Sequence, residues 1–349
     1  MNQLLDQAVH SRASDLHITV GAPPIFRIDG QLVPTNHQLL NVKNTEGLFK
    51  AITTPEQQQY FNEHGEIDFS FAVLGLSRFR VNAFHQRGSV AIVIRIINEK
   101  IPTLEELGHP SVIRTLACQA RGLVLVTGPT GSGKSTTLAA MINLINQERF
   151  CHILTLEDPI EFLHKHNKSI VNQREINTDT KSFTVALRAA LREDPDVILV
   201  GEMRDSETIA TALTAAETGH LVFATLHTGS AVQTIDRIID AFPSHQQQQI
   251  RIQLSVTLQG IIAQQLLPRM DQIGRVSALE ILVATPAVRN MIREGKTHQL
   301  TSFIQTGAKF GMQTMDIALQ DLYRRGIISY GEAIMRVIDE ENFARFANN

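Results

Sequence analysis

Eight consecutive residues carry the clearest chemical signal in the chain. The run Gly128, Pro129, Thr130, Gly131, Ser132, Gly133, Lys134 and Ser135 fits G-x-x-x-x-G-K-[ST], the phosphate-binding loop. Its glycines let the backbone wrap around phosphate oxygens, while Lys134 reaches the terminal phosphates. The Ser135 hydroxyl, followed by Thr136, is placed to bind Mg²⁺. The stretch therefore predicts a nucleotide site.

The segments on either side of the loop are those that the motif requires. Residues 123–127 form a short apolar run that is typical of a buried parallel strand. Residues 136–146 carry apolar side chains at helical spacing. The loop thus lies between a strand and a helix N-terminus, where backbone N–H groups and the helix dipole favour an anion. A chance glycine-rich turn is the weaker interpretation.

Polar residues follow three further predicted strands. Residues 151–156 lead into an acidic stretch that ends at Glu161, residues 197–200 lead to Glu202, and residues 221–226 lead to His227. Ligands of open α/β sheets bind at the carboxyl ends of the strands. We therefore expect these side chains to converge on the loop.

Hydrolysis of a phosphoanhydride needs a carboxylate that orients or deprotonates water. Glu202 follows an apolar strand and suits water-mediated Mg²⁺ binding, so Glu161 is predicted as the general base. A solvated loop carboxylate is the alternative for each. His227 could hydrogen-bond the γ-phosphate, and His220 is a second candidate at the same strand, although a lone histidine is usually structural.

Bulk composition limits the function classes. With 349 residues the chain predicts two domains, and 43% apolar with 19% charged residues is ordinary for a globular protein. The net charge of −3 argues against a strongly electrostatic nucleic-acid binder. Cys118 and Cys151 cannot build a four-thiolate zinc site. Without a signal pattern or a long apolar run, the sequence predicts a cytoplasmic protein.

The order of elements divides the chain. Residues 1–98 predict an α+β domain that includes a hairpin turn at Asp29-Gly30, and residues 99–110 predict a linker rich in turn formers. Residues 111–349 alternate strand and helix, which predicts a mostly parallel, covered sheet. Beyond His227 the pattern predicts helices, including one over 246–267, that carry no obvious chemistry.

Arginines stand out in the first domain. Strand alternation places Arg78 and Arg80 on one face, and Arg95 interrupts an apolar strand. The simpler interpretation is pairing with nearby acids such as Glu66 or Asp68. The alternative is that these guanidinium groups point at a phosphate on a neighbouring subunit. Composition alone favours the simpler one.

Several motifs together resemble a known family, the ATPases of type II and type IV secretion systems. They are the phosphate loop, the acidic segment 156–162, the segment 200–205 around Glu202, and the histidine segment 218–228. Segments 13–17, 188–192, 311–316 and Ala287-Val288-Arg289-Asn290-Met291 further resemble the type IV pilus retraction ATPases. The resemblance implies a PAS-like N-terminal domain, a RecA-like ATPase domain, ATP with Mg²⁺, and a homo-hexameric ring. It also implies that Arg80 and Arg95 reach the nucleotide.

Membership of the retraction branch implies pilus disassembly and twitching motility, driven from the cytoplasmic face of the inner membrane on a membrane platform protein. The related assembly and secretion ATPases usually carry an extra N-terminal domain and a tetracysteine zinc element. Two cysteines and a short N-terminus argue against both elements here, so we expect retraction rather than extension, and no zinc. We expect no nucleic acid either. An accessory retraction paralogue and a DNA-translocating P-loop ATPase remain alternatives, and a non-hydrolysing scaffold is disfavoured by the intact set of site residues.

Overall fold

The structure is a computed structural model that describes all residues except 12, 29, 98, 99, 272, 273, 348 and 349. The chain divides into two compact units, Met1–Lys100 and Ile101–Asn349. The predicted Asp29-Gly30 turn and the predicted domain boundary at residues 98 and 99 depend on positions outside the described residues.

The elements of the first unit are α1 (Asn2–His10), β1 (Asp15–Ile18), β2 (Ile25–Ile28), β3 (Gln31–Pro34), α2 (Val42–Lys50), α3 (Pro55–His64), β4 (Glu66–Val73), β5 (Ser77–Gln86) and β6 (Ser89–Ile97). The six strands form one antiparallel sheet with the order β3-β2-β1-β6-β5-β4. Alternate residues of β5, Phe79, Val81 and Ala83, are buried, which leaves the arginines between them on the other face. The α+β character predicted for this region is confirmed.

The second unit begins with the elements around the phosphate loop and contains a seven-stranded sheet. Its elements up to the last strand are α4 (Ser111–Ala117), β7 (Gly122–Thr127), α5 (Lys134–Glu148), β8 (His152–Glu157), β9 (Ile170–Glu175), α6 (Phe183–Ala190), β10 (Val197–Val200), α7 (Ser206–Glu217), β11 (Leu221–Leu226), α8 (Ala231–Asp240), α9 (Ser244–Thr257), β12 (Leu258–Pro268) and β13 (Arg275–Val283). The helices that follow are α10 (Pro286–Arg293), α11 (Leu300–Thr306), α12 (Met315–Arg324), α13 (Tyr330–Ile334) and α14 (Glu340–Ala347).

The strand order of this sheet is β13-β12-β7-β11-β10-β8-β9, parallel except for the edge strand β13. Every residue of β7, β10 and β11 is buried, as expected for central strands covered by helices on both faces. The predicted α/β class and the mostly parallel sheet are confirmed. Within the described residues, none of the helices has the length and apolar character needed to cross a membrane.

The helix predicted over 246–267 is wrong, because α9 ends at Thr257 and the chain continues as strand β12. The segment is rich in Leu and Gln, which favour a helix locally. In the fold it hydrogen-bonds with β7 on one side and β13 on the other, and this pairing outweighs the local preference. A Cβ at Gly260 would lie 2.8 Å from the Leu116 side chain, so the packing of β12 requires glycine there. Strands β9 and β13 were not predicted.

Candidate nucleotide-binding site

The phosphate loop connects β7 to α5 in a conformation that requires glycine at two positions. Gly128 has φ of 142° and Gly133 has φ of 87°, both in the region that other residues rarely adopt. Space is equally restrictive, since a Cβ would lie 2.2 Å from the Gln264 carbonyl oxygen at Gly128 and 2.8 Å from Gln264 Nε2 at Gly133. Helix α5 starts at Lys134, so its free N–H groups belong to the loop.

Lys134 lies beneath the loop and is only 9% exposed. Its Nζ donates to the Gly128 carbonyl at 2.8 Å and to the Pro129 carbonyl at 3.1 Å. Burial lowers the pKa of Lys134, while the charges of Glu202 and Glu161 act in the opposite direction without cancelling it. The ammonium is therefore held among loop carbonyls and close enough to two carboxylates to feel their charge.

A cavity of about 470 Å³ opens over the loop, within the range of small-molecule sites. Loop residues from Thr130 to Thr136 line one side of it, and the predicted Glu161, Glu202 and His227 line the others. The structure thus brings together the residues expected to converge. Gly128 and Pro129 contribute through the carbonyls that hold Lys134.

Glu202 is the centre of a charged cluster in this cavity. Arg204 Nε lies 2.6 Å and His227 Nε2 lies 3.2 Å from the same carboxylate oxygen of Glu202. Burial by itself raises the pKa of Glu202, but the Arg204 and His227 contacts outweigh burial, so the pKa lies below its ordinary value. Glu202 therefore stays ionised and is held in place from two sides.

Glu157, at the end of β8, is a second acid of the cavity with the opposite electrostatic character. Burial raises its pKa, more than the hydrogen bonds that it accepts lower it. Thr155 Oγ1 donates to Glu157 Oε1 at 2.6 Å, and Gln173 Nε2 donates to the same oxygen at 3.1 Å. The cavity thus contains two acids whose pKa values are shifted in opposite directions, that of Glu202 down and that of Glu157 up.

His220 does not belong to this site, contrary to expectation. It precedes β11, whereas His227 follows that strand, so the two histidines lie at opposite ends of a six-residue strand. At about 3.3 Å per residue this separates them by roughly 20 Å. His220 Nδ1 instead lies 2.9 Å from the carbonyl oxygen of Ala215, in the last turn of α7.

Sequence reasoning did not assign several further lining residues to the site, among them Glu157, Arg204, Leu266 and Arg275. Arg204 is two residues from Glu202, just beyond the end of β10. If the two-residue alternation of a strand continued past β10, both side chains would point to the same side, and this spacing was the available signal for Arg204. Leu266 and Arg275 come from β12 and β13, the region predicted as helical or left unassigned. Nothing in their local sequence indicates contact with a loop more than a hundred residues earlier.

The donor set is suited to Mg²⁺ held mainly by substrate and water. The Ser135 hydroxyl and the Glu202 carboxylate line the same cavity, and both supply the hard oxygen atoms that Mg²⁺ prefers. The hydroxyl of Ser132 is buried without a hydrogen-bond partner in the described part of the chain, which fits a loop completed by a phosphate. The described residues contain no cluster of three His, Cys, Asp or Glu able to hold a metal alone.

Arg80 and Arg95 lie in the first unit, directly opposite one another on β5 and β6. Arg95 Nε donates to Asp15 Oδ1 at 3.0 Å, and Arg80 Nε lies 3.9 Å from Asp68 Oδ1. Both side chains are exposed, at 67% for Arg95 and 41% for Arg80. The Arg80–Asp68 pair is exposed on both sides, and surface pairs of this kind contribute little to stability. Arg95 instead pairs with the buried Asp15, whose other carboxylate oxygen lies 3.9 Å from Arg27 Nε. Their expected contact with nucleotide stays a prediction.

Comparison with known proteins gives consistent matches along nearly the whole chain. Residues 1–332 match the family model described as type II/IV secretion system protein. The chain is 52% identical to the type IV pilus retraction ATPase PilT of Pseudomonas aeruginosa, over 98% of this chain and 99% of that protein. It is 44% identical to the type IV pilus ATPase PilU of the same organism, over 95% and 87%.

A solved structure supports the same conclusion for the fold. The crystal structure of the pilus retraction motor PilT with bound ADP superimposes with a TM-score of 0.92 at 51% identity, covering 98% of both chains. The α/β fold predicted from the sequence, a RecA-like ATPase unit with a smaller N-terminal unit, is thereby confirmed, as is the resemblance drawn from the motifs.

Proposed function

The chain belongs to the type II/IV secretion system protein family, and from this we propose that it is an ATP-hydrolysing motor that drives type IV pilus retraction. The observation that carries the proposal is the cavity over the phosphate loop, where Lys134, Glu161 and Glu202 meet. Full-length similarity to a retraction ATPase, and to a retraction motor solved with ADP, supports this assignment. Retraction of the pilus implies twitching motility as the cellular output.

We propose that the loop and Lys134 bind the phosphates of ATP. The N-terminal N–H groups of α5 and the ammonium of Lys134 face the same cavity, so they can neutralise charge on the β- and γ-phosphates. The Lys134 ammonium leaves the two loop carbonyls, or shares its protons with them, when phosphate arrives. Ser135 and Glu202 would hold Mg²⁺, which supplies further charge neutralisation on the phosphates when it is bound.

We propose Glu161 as the general base and Glu202 as the magnesium ligand. Glu161 is exposed at the edge of the cavity, and within the described part of the chain it forms no salt bridge with a basic side chain. Glu202 is engaged with Arg204 and His227, which suits a fixed, ionised ligand better than a group that takes up a proton. His227 can donate toward the γ-phosphate from the same cluster.

We propose that Arg80 and Arg95 complete a nucleotide site in trans. Charge that spreads over the departing phosphoryl group needs a cation beyond Lys134, and the planar fork of arginine matches phosphate oxygens. Both arginine side chains are exposed, and the surface pair of Arg80 with Asp68 can be exchanged at low cost. Arg95 pairs with the buried Asp15, which keeps Arg27 as a second cationic neighbour at 3.9 Å if Arg95 turns to a nucleotide. A homo-hexameric ring would supply them from an adjacent subunit.

The remaining features of the proposal concern assembly and location. We propose a homo-hexamer that acts on an inner-membrane platform protein from the cytoplasmic face, without nucleic acid or zinc. An accessory retraction ATPase is the second candidate, supported by the 44% identity to PilU. The two candidates differ in whether the protein alone restores retraction to cells that lack their retraction ATPases.

The test is ATPase activity of the purified protein together with its oligomeric mass, measured with and without DNA. We expect Mg²⁺-dependent hydrolysis by a species of hexameric mass and no stimulation by DNA. Strong DNA stimulation would replace the proposal with a DNA translocase. Restoration of twitching by the wild-type gene alone, but not by a Lys134→Ala gene, would separate the main motor from an accessory one.

A further inference from the structure

Gln264 of β12 connects two parts of the phosphate loop through one buried side chain. It is 3% exposed, and its Nε2 donates to the Ser132 carbonyl in the loop at 2.7 Å. Its Oε1 accepts from Thr137 Oγ1, on the first turn of α5, at 2.8 Å. A single amide therefore bridges the loop and the helix that the loop leads into.

The direction of each hydrogen bond in this connection follows from chemistry. The Ser132 carbonyl can only accept, so the NH₂ group of Gln264 must face it and the amide oxygen must face Thr137. Thr137 then donates to Gln264 and is free to accept from His109 Nε2, which lies 2.9 Å away. His109 Nδ1 lies 3.4 Å from Ser277 Oγ on β13. Ser132, Gln264, Thr137 and His109 thus form one directional chain, from here the loop strut.

The backbone of β12 also supports the loop. β12 runs parallel to β7 up to the pair Ala263–Thr127, and from Gln264 onward it continues beside the loop. Gln264 contacts both ends of the loop, since its carbonyl oxygen blocks any side chain at Gly128 and its amide does so at Gly133. The loop is therefore enclosed by a strand that the P-loop motif does not include.

We propose that Gln264 is a positioning residue that holds the phosphate loop in its nucleotide-binding conformation through the loop strut. The proposal deepens the proposed function and rests on it only in that this cavity binds nucleotide. Gln264 does not line the cavity, so it acts through Ser132 and Thr137 rather than on the substrate. Without its amide, a buried loop carbonyl and a buried hydroxyl each lose a partner, and the loop gains alternatives to its binding conformation.

The main experiment compares ADP affinity of the full-length parent, Gln264→Leu and the matched control Gln265→Leu by isothermal titration calorimetry. Gln265 is the next residue on β12 and faces the other side of the sheet. We expect ADP affinity roughly tenfold weaker for Gln264→Leu, the cost of one unsatisfied buried group, and unchanged for Gln265→Leu. ADP affinity of folded Gln264→Leu within twofold of the parent would overturn the proposal. Failure of the parent itself to bind ADP would overturn the proposed function instead.

A second set of variants keeps the test decisive if Gln264→Leu does not fold. Thr137→Val removes the hydroxyl at constant shape, and Thr137→Ser restores it, so we expect weakened ADP binding in the first and recovery in the second. In Gln264→Glu, a protonated carboxyl can still donate to the Ser132 carbonyl but an ionised one cannot. Its ADP affinity relative to the parent should therefore rise as the pH falls from 8 to 6. A ratio independent of pH, or equal binding by Thr137→Val and Thr137→Ser, would contradict the loop strut.

Discussion

Replacing Lys134 with methionine tests the centre of the proposed site while preserving the shape of the side chain. Methionine fills nearly the same volume, but it removes the ammonium that donates to the Gly128 and Pro129 carbonyls at 2.8 and 3.1 Å. We expect ATP turnover to fall at least about a hundredfold, because loss of one preorganised donor to a developing charge typically costs a factor of this size.

The same substitution should change the stability of the nucleotide-free protein much less. Two opposing contributions follow from the structure. Loss of the donors leaves loop carbonyls without a partner, at about 1–3 kcal/mol for a buried one. Removal of a buried ammonium, whose pKa burial already lowers, recovers part of that cost. We therefore expect the free energy of unfolding to change by less than about 2 kcal/mol.

The assay measures steady-state hydrolysis and the thermal midpoint with and without ADP for the parent, Lys134→Met and Lys181→Met. Lys181 is an exposed lysine, so its replacement controls for the loss of one positive charge. We expect Lys134→Met to melt near the parent without ADP and to lose most of the ADP-induced rise. Parent-like turnover in Lys134→Met would refute the assignment of the site.

Three further predictions address the acids, the arginines and acid stability. Glu161→Gln should bind ATP without hydrolysing it, whereas Glu202→Gln should also need more Mg²⁺; identical magnesium titrations would contradict this division of roles. Mixing inactive Arg95→Ala with inactive Lys134→Ala at varied ratios should restore some hydrolysis, because mixed rings contain intact interfaces; parent-like activity of Arg95→Ala alone would reduce this arginine to a local ion pair. Burial lowers the pKa of His109 from 6.5 to about 4. Between these two pH values His109 is protonated in the unfolded chain but not in the folded one, so the free energy of unfolding falls as the pH drops from 6.5 towards 4. By pH 5 the loss should reach about 2 kcal/mol, and urea midpoints at pH 7.5 and 5 should differ less in His109→Gln than in the parent.

The sequence predicted the half of the site that is encoded locally. The phosphate loop, its strand and its helix are contiguous, so spacing alone predicts their geometry. Glu202 and His227 follow buried parallel strands, and such strands end at one edge of the sheet, which predicts their convergence. The same logic failed for His220, because a residue that precedes a strand lies at the opposite edge.

The part of the site that the sequence did not predict depends on pairing between distant segments. Residues 258–268 contain several Leu and Gln residues that favour a helix locally, and hydrogen bonding with β7 and β13 makes the segment a strand. Gln264 gains its contacts with the loop from that pairing, across 132 residues to Ser132. Arg204 and Glu157 lie close in sequence to predicted site residues, but the ion pair of Arg204 with Glu202 and the burial of Glu157 depend on the packed sheet.

The position of β7 between β11 and β12 has a consequence for how the protein is made. β12 is the immediate neighbour of β7, yet the ribosome synthesises it about 130 residues later. Until then the nascent chain presents the unpaired edge of a strand whose residues are all buried in the final fold, the kind of surface that promotes aggregation. A chain interrupted before Leu258 would carry the complete P-loop motif but lack the strand that encloses it. Nucleotide can therefore stabilise this domain only late in its synthesis, and we expect chaperones rather than ATP to protect the partly made chain.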